Sequence, residues 1–424
     1  MQEGHKVRIG VFDQIVSGGG VYNFTLRLLE GLSEVVSEEV YFHVMWPLFD
    51  SSGEFLKEMK LPHTTFERIG TSYRSMLFNS VAPFFLKNKM ASEFGRLEKI
   101  LANLANNQQL SNLRVYDGAG LRWLDQRMNS YDLLYLPYTY YTFPKNWKWV
   151  PLKPLVVTIH DLAHETTDAW GKRTQDIRDE IRKWINAASH IIFSSEYIKN
   201  ESIRLYGFNE EKASTIYLAP LQKKKYDGTK KKEYPFGKGY VFTIGWAAKH
   251  KRLETILEGF ARYKERYGTS IPLVIAGPNS DKLVVNKALG LEINKDIFLL
   301  GYVRDDQIAQ LYSDASAVVT ASVSEAGFNA MIYDAMNFEV PIICSTIPQF
   351  IERLGVNNEM ALTFNPYDHE SLSMAFKNHF DDPRAARERA SRAKEYIDRR
   401  TWKDVARDYI SILERVSEKK LTGR

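Results

Sequence analysis

The chain has 424 residues, 44% of them hydrophobic and 26% charged, which excludes a disordered or collagen-like polymer and predicts a globular protein of two or three domains. Lys and Arg number 57 against 52 Asp and Glu, and the net charge of +5 is too small at this length for a dedicated nucleic-acid binder. The single cysteine, Cys344, excludes an internal disulfide framework and a thiolate metal cluster and fits a reducing compartment.

Met1 to Lys6 lead directly into an apolar run, without the apolar core or cleavage site of a signal peptide, so a cytoplasmic location is expected. That run, Val7–Phe12, reads as a strand. Ser17-Gly18-Gly19-Gly20 follows as a glycine loop, then Val21–Leu32 as a helix with Phe24, Leu28, Leu29 and Leu32 at helical spacing. Apolar runs at Val40–Trp46, Leu133–Leu136, Leu155–Ile159 and Ile191–Phe193 are separated by helix-length stretches, the pattern of a parallel sheet wrapped by helices. None of the uncharged runs reaches the roughly 18–20 apolar residues of a spanning helix. Arg74–Met90, with Met76, Leu77, Phe78, Val81, Phe84, Phe85 and Leu86 between basic residues, reads as a buried helix pair interrupted by Pro83. Its alternative is an interfacial anchor, which would attach the protein peripherally to the inner face of the membrane.

After Pro220 the segment Leu221–Lys232 is polar, lysine-rich and without periodicity, as a solvated linker is. The alternation then restarts with strands at Tyr240–Ile244, Leu273–Ala276, Ile297–Leu300, Ala317–Thr320 and Pro341–Cys344, and helices at Leu253–Tyr267, Asp306–Ser313 and Ala330–Phe338. Arg384–Arg415 is charged and helical, with Trp402, Val405, Tyr409, Ile410 and Leu413 as one apolar stripe. The expected architecture is therefore α/β: a Rossmann-like domain over 1–221, a linker over 222–237 and a second Rossmann-like domain over 238–399. The final helix, within 400–424, is expected to pack back on the first domain. Two such domains facing each other bind ligands in the cleft between them.

The most informative segment is Ser324-Glu325-Ala326-Gly327-Phe328-Asn329-Ala330-Met331-Ile332-Tyr333-Asp334-Ala335-Met336. One carboxylate, Glu325, lies in a loop after a strand, and a second, Asp334, follows 9 residues later inside the next helix. Free N–H groups at the helix start, near Phe328 to Met331, form an anion site suited to a pyrophosphate. A carboxylate one turn into that helix is placed to accept hydrogen bonds from a ribose diol.

This segment is similar to the Glu-Gly-Phe-Gly-x-x-x-x-Glu-Ala-Met region of GT-B glycosyltransferases of the large retaining family that includes bacterial mannosyltransferases, family 4 or group 1. Tyr240–Lys251, which contains Gly245, Trp246 and His250, resembles that family's phosphate loop. Leu299–Val303 resembles its nucleobase-contacting strand end, Ile343–Pro348 the strand and turn after the paired acids, and Val157–Leu162 its Thr-x-His-Asp turn. Gly19-Gly20-Val21-Tyr22 resembles the first glycine loop. Three departures stand out: the acids are nine apart rather than eight, so Ala326 takes the first glutamate position; Asp334 replaces a glutamate; and Trp246 replaces an arginine.

The resemblance implies a retaining, metal-independent glycosyltransferase moving a hexose from a nucleotide diphosphate sugar, with mannose from GDP-mannose the leading choice. The acceptor would be a growing glycan or lipid-linked glycan such as a bacterial surface polysaccharide. No cofactor and no nucleic-acid partner are expected. Lys251, with the helix amides, would stabilise the diphosphate leaving group; Glu325 would bind donor-sugar hydroxyls, and His160 would contact the donor sugar. Gly19, Gly20, Gly245, Trp246, His250, Val303, Gly327, Phe328, Asn329 and Asp334 would complete the donor site. A catalytically silent GT-B binding domain and a two-Rossmann sugar-nucleotide epimerase are the alternatives. A nicotinamide dehydrogenase is disfavoured, because Asn23 stands at the third glycine of Gly-x-Gly-x-x-Gly and Glu38-Glu39 precede the second strand instead of ending it. Asp305-Asp306 and Asp381-Asp382 sit where helix capping accounts for them, so no metal site is expected.

Overall fold

The computed structural model describes residues 7–12, 20–47, 61–69, 126–139, 151–167, 174–220, 232–245, 248–277, 280–283, 285–327 and 329–418. Arg74–Met90, most of the lysine-rich linker, Gly19, Trp246 and Phe328 lie outside these residues. Two parallel sheets organise the chain. The first contains β1 (Val7–Phe12), β2 (Val40–Pro47), β3 (Thr64–Ile69), β4 (Leu133–Leu136), β5 (Leu155–Ile159), β6 (His190–Phe193) and β7 (Ala213–Thr215), in the order β3-β2-β1-β4-β5-β6-β7. Its helices are α1 (Gly20–Ser33), α2 (Ala163–Thr166), α3 (Thr174–Ala187) and α4 (Glu196–Tyr206). Strands β4, β5 and β6 are buried at every position, as strands covered on both faces must be.

The second sheet contains β8 (Tyr240–Ile244), β9 (Leu273–Ala276), β10 (Ile297–Gly301), β11 (Ala315–Thr320), β12 (Ile342–Ser345) and β13 (Leu362–Phe364), in the order β10-β9-β8-β11-β12-β13. Helices α5 (Leu253–Tyr267), α6 (Asp305–Asp314), α7 (Ala330–Asn337), α8 (Pro348–Leu354), α9 (His369–Asp381), α10 (Pro383–Asp398) and α11 (Trp402–Ser417) accompany it. In each sheet the winding reverses about its first strand, between β1 and β4 and between β8 and β11. The loops leaving the carboxyl ends of such a pair diverge to opposite faces and open a crevice, so these two points fix where a ligand can enter.

Strands β3, β7 and β13 escape the pattern of apolar runs. They are six, three and three residues long and lie at or beside sheet edges, where one neighbour suffices and a polar sequence such as Thr64-Thr65-Phe66-Glu67-Arg68 is tolerated. The charged carboxy-terminal stretch is two helices rather than one. Thr401 caps α11, accepting from the Asp404 amide while the Asp404 carboxylate accepts from the Thr401 amide, and this reciprocal box turns the chain after α10.

Helix α11 lies on α1 of the first sheet's layer. The Trp402 indole donates to the Pro220 carbonyl at 2.7 Å, and the Tyr409 hydroxyl meets Thr158 Oγ1 at 3.3 Å inside that layer. Phe24 of α1 contacts both rings, with centroids 6.0 Å from Trp402 and 6.3 Å from Tyr409. At the far end of α11, Arg415 reaches Nε2 of buried His190, which also meets Ser214 Oγ at 2.8 Å.

Burial, reinforced by Arg415 and Lys212, lowers the His190 pKa to about 4, and burial beside Arg389 lowers that of His379 to about 4 as well. Between these values and the ordinary 6.5 the unfolded chain binds more protons than the native one, so acidification favours unfolding. Urea unfolding should therefore give a stability that declines as the pH falls from about 6.5 to 4, with a shallower slope in His190→Gln.

Candidate functional site

The crevice of the second sheet opens where β8 and β11 diverge. A pocket of about 320 Å³ lies there, lined by Thr243, Ile244 and Gly245 from the end of β8, Ala276 from β9, Thr320 from β11, Lys251, Asn329 and Met331. Beside the lining residue Gly245 the chain requires glycine at one point: Gly277 has φ +120°, and a Cβ there would lie 2.1 Å from the Gly245 carbonyl oxygen. The Met331 sulfur closes the wall by accepting from the Ile244 amide at 3.4 Å.

Asn329 caps α7, its side-chain oxygen accepting from the Ile332 amide at 3.0 Å, while the Asn329 carbonyl accepts from Tyr333. The amides of Ala330 and Met331, in the first turn, have no acceptor within the helix. The positive end of α7 is thus presented beside Lys251.

Lys251 reaches this position through the turn Lys249–Lys251, whose exit residue Arg252 adopts φ +46° before α5 begins. Its ammonium donates to Oε1 of Glu325, and the Ser322 hydroxyl donates to the same oxygen. Glu325 is 7% exposed and Lys251 26%, so this ion pair is half sunk into the protein. The loop around it is braced by the Ser345 hydroxyl on the Ser322 carbonyl, by Gln349 Nε2 on the Glu325 carbonyl at 3.1 Å, and by the Val323 amide on the His250 carbonyl at 2.9 Å.

The first sheet's layer closes the other side. The Gly327 amide donates to the His160 carbonyl at 3.2 Å, and Thr166 Oγ1 donates to Ser324 Oγ at 2.8 Å. His160 is buried at the end of β5, with Nε2 2.8 Å from the Pro137 carbonyl and the ring edge-on to Phe24 at 4.6 Å. Burial lowers its pKa against the opposing pull of Pro137 and Asp161. A carbonyl can only accept, so Nε2 carries the proton of the neutral ring and Nδ1 offers a lone pair. Burial also lowers the pKa of His250, helped by Lys251 and opposed by Glu325 and Asp161. Among the described residues its Nδ1 is buried without a hydrogen-bond partner.

Of the residues singled out from the sequence, Gly245, Lys251 and Asn329 line the pocket, and Glu325 is joined to Lys251 at its rim. Gly327 and Asn329 line a second pocket of about 240 Å³, shared with Gln349 and Arg353 of α8. Val303 is buried in the core after β10 and Gly20 begins α1. Asp334 is buried on α7 within electrostatic reach of Tyr312, whose ionisation it opposes, and lines neither pocket. Ser322, Thr243, Thr320, Gly277 and Gln349 carry no motif signature in the sequence. Thr320 and Ser322 could have been flagged only as polar residues at and just after the end of a buried strand. Among the described residues no group of three or more His, Cys, Asp or Glu is placed to hold a metal ion, and no helix is long and apolar enough to cross a membrane.

Comparison with known proteins adds a family. Residues 227–399 match the family model described as glycosyl transferases group 1, and residues 99–219 match that of glycosyltransferase family 4. O-antigen chain mannosyltransferase B of Escherichia coli is 25% identical over 232 residues, which span 52% of this chain and 60% of that protein. Among solved structures, Alr3699/HepE of Anabaena, in complex with UDP and glucose, superposes with a TM-score of 0.66 at 16% identity, covering 96% of this chain and 100% of its own. Sucrose-phosphate synthase of Thermosynechococcus elongatus gives 0.66 at 15%, covering 97% and 99%. The fold is accordingly GT-B, two Rossmann-like domains across a cleft.

The pair Lys251–Glu325 makes a prediction independent of any reaction. Lys251→Met leaves a carboxylate at 7% exposure without its cation and should destabilise the protein by about 2 kcal/mol, less than for a fully buried pair. Lys251→Met combined with Glu325→Gln should recover most of that loss, as a double-mutant cycle of urea unfolding would register.

Proposed function

The chain belongs to the group 1 glycosyltransferases, family 4, and from that premise we propose that it is a retaining hexosyltransferase acting on a nucleotide diphosphate sugar. The leading donor is GDP-mannose, supported by the partial match to a mannosyltransferase, and the acceptor is a growing glycan. The observation that carries this reading is the meeting of the Lys251 ammonium, the Glu325 carboxylate and the amino end of α7 at the mouth of one pocket at the switch point of the second sheet.

In the proposed reaction the bond between the sugar's anomeric carbon and the β-phosphate oxygen breaks, and negative charge grows on the diphosphate. Lys251 and the amides of Ala330 and Met331 stabilise that charge from fixed positions, which costs no reorganisation as the bond stretches. Glu325, held by Lys251 and Ser322, presents its second carboxylate oxygen to sugar hydroxyls. His160, buried at the end of β5 with its carbonyl bonded to the Gly327 amide, keeps a neutral ring whose Nδ1 can accept a hydrogen bond, and in this reading it contributes to the donor sugar's surroundings from the first domain. The acceptor oxygen attacks on the face the diphosphate leaves, and its proton passes to the departing phosphate, so configuration is retained without a separate general base. Asp334 and Val303, expected from the sequence at the donor's nucleoside end, are both buried and line neither pocket, so they carry no donor contact in this reading.

Lys251→Ala should lower turnover about 10²–10³-fold, the usual loss when one fixed donor to a developing anion is removed, and Glu325→Ala should abolish measurable transfer. Wild-type rates in both would remove the site. Thermal shifts with GDP, UDP, dTDP and ADP identify the donor base, since the nucleotide that binds best raises the native state's stability most. Release of nucleoside diphosphate only with acceptor present marks transfer; donor turnover without acceptor marks an epimerase, and binding without turnover a silent domain.

A further inference from the structure

Helix α8 belongs to the second domain, yet its Glu352 side chain is spent on the first. Oε2 accepts from the Ser195 hydroxyl at 2.8 Å and from the Tyr197 amide at 2.9 Å, and Oε1 accepts from the Glu196 amide at 2.8 Å. These donors are the N-cap and first turn of α4, where a carboxylate also meets the positive end of the helix dipole. The Tyr217 hydroxyl bonds the same carboxylate. One turn earlier on α8, and so on the same helical face, Gln349 donates to the Glu325 carbonyl. Gln349 is 6% exposed, and the next residue after Glu352, Arg353, is pinned with its guanidinium 4.1 Å over the Tyr217 ring. A single short helix therefore grips the first domain with one side chain and the loop bearing Glu325 with another.

We propose that Glu352 is a positioning residue: its seat on the amino end of α4 holds the two domains closed and, through Gln349, fixes the backbone that presents Glu325. The inference rests on the transferase reading for its kinetic arm and on geometry alone for its structural arm. The pocket itself is built from the second domain, so nucleotide affinity does not depend on the grip, whereas turnover does. Replacing the carboxylate by an amide removes the charge and turns an N–H toward donors that need an acceptor, so the closed form loses its hold while side-chain volume is kept.

The test uses Glu352→Gln and, from the other side of the contact, Ser195→Ala, in the full chain and with unchanged circular dichroism as the check of folding. Calorimetric titration with UDP and GDP should return dissociation constants within twofold of wild type. The turnover number should fall about ten- to hundredfold in Glu352→Gln, the range for losing charge-assisted hydrogen bonds, and less in Ser195→Ala. The double variant should be no slower than Glu352→Gln alone. X-ray scattering at saturating nucleotide should give a larger radius of gyration for Glu352→Gln than for wild type. Unchanged turnover, or a loss of nucleotide affinity equal to the loss of rate, would overturn the proposal. If wild type transfers no sugar at all, the transferase reading fails on its own, and scattering still decides: equal radii for wild type and Glu352→Gln would overturn the grip.

Discussion

The two domains meet at a point where there is no room for a side chain. A Cβ on Gly327 would stand 2.2 Å from Ser195 Cβ and 2.8 Å from the Ser195 backbone nitrogen, so the loop between β11 and α7 lies directly on the chain between β6 and α4. The Gly327–His160 hydrogen bond and the Glu352 contacts flank that point. Everything that reads as chemistry is arranged around it: Glu325 two residues before, Asn329 and the amino end of α7 two residues after. A glycine here lets the donor-side loop be shaped by both domains at once, and binds the geometry of the site to their separation.

Around that contact the polar groups are held by partners. Glu325 receives both Lys251 and Ser322 on one oxygen, Oε1. Buried polar groups are costly unless paired, and here the pairing comes from the protein itself. Both histidines at the cleft, His160 and His250, are kept neutral by burial rather than charged by the nearby carboxylates. The Lys251 ammonium is compensated by Glu325, and the amino end of α7 adds a partial positive charge beside that pair.

Much of this was legible beforehand. Buried parallel strands announce themselves as apolar runs, and β1, β4, β5, β6, β8 and β9 lie where those runs are. Lys251 and Glu325 could be singled out because each follows a strand within a few residues, and strand ends in open α/β sheets are where ligands are met. Edge strands β3, β7 and β13 were not legible, since edge strands of three to six residues leave too short a pattern. Glu352 was invisible for a different reason. On its own helix it is one charged residue beside Arg353, and its partners at the amino end of α4 are 155–157 positions away in sequence.

The sequence by itself determined the class of architecture, the alternation of strands and helices, and the identity of the ion pair's members, because these follow from local periodicity and from which residue stands after which strand. Only the tertiary structure decided that Lys251 and Glu325, 74 residues apart, share one proton-donor contact, and that Gly327 and Glu352 carry the junction between domains. Those facts depend on how two sheets are set against each other, and that relation is fixed by close approach and long-range hydrogen bonding, for which a linear pattern holds no period.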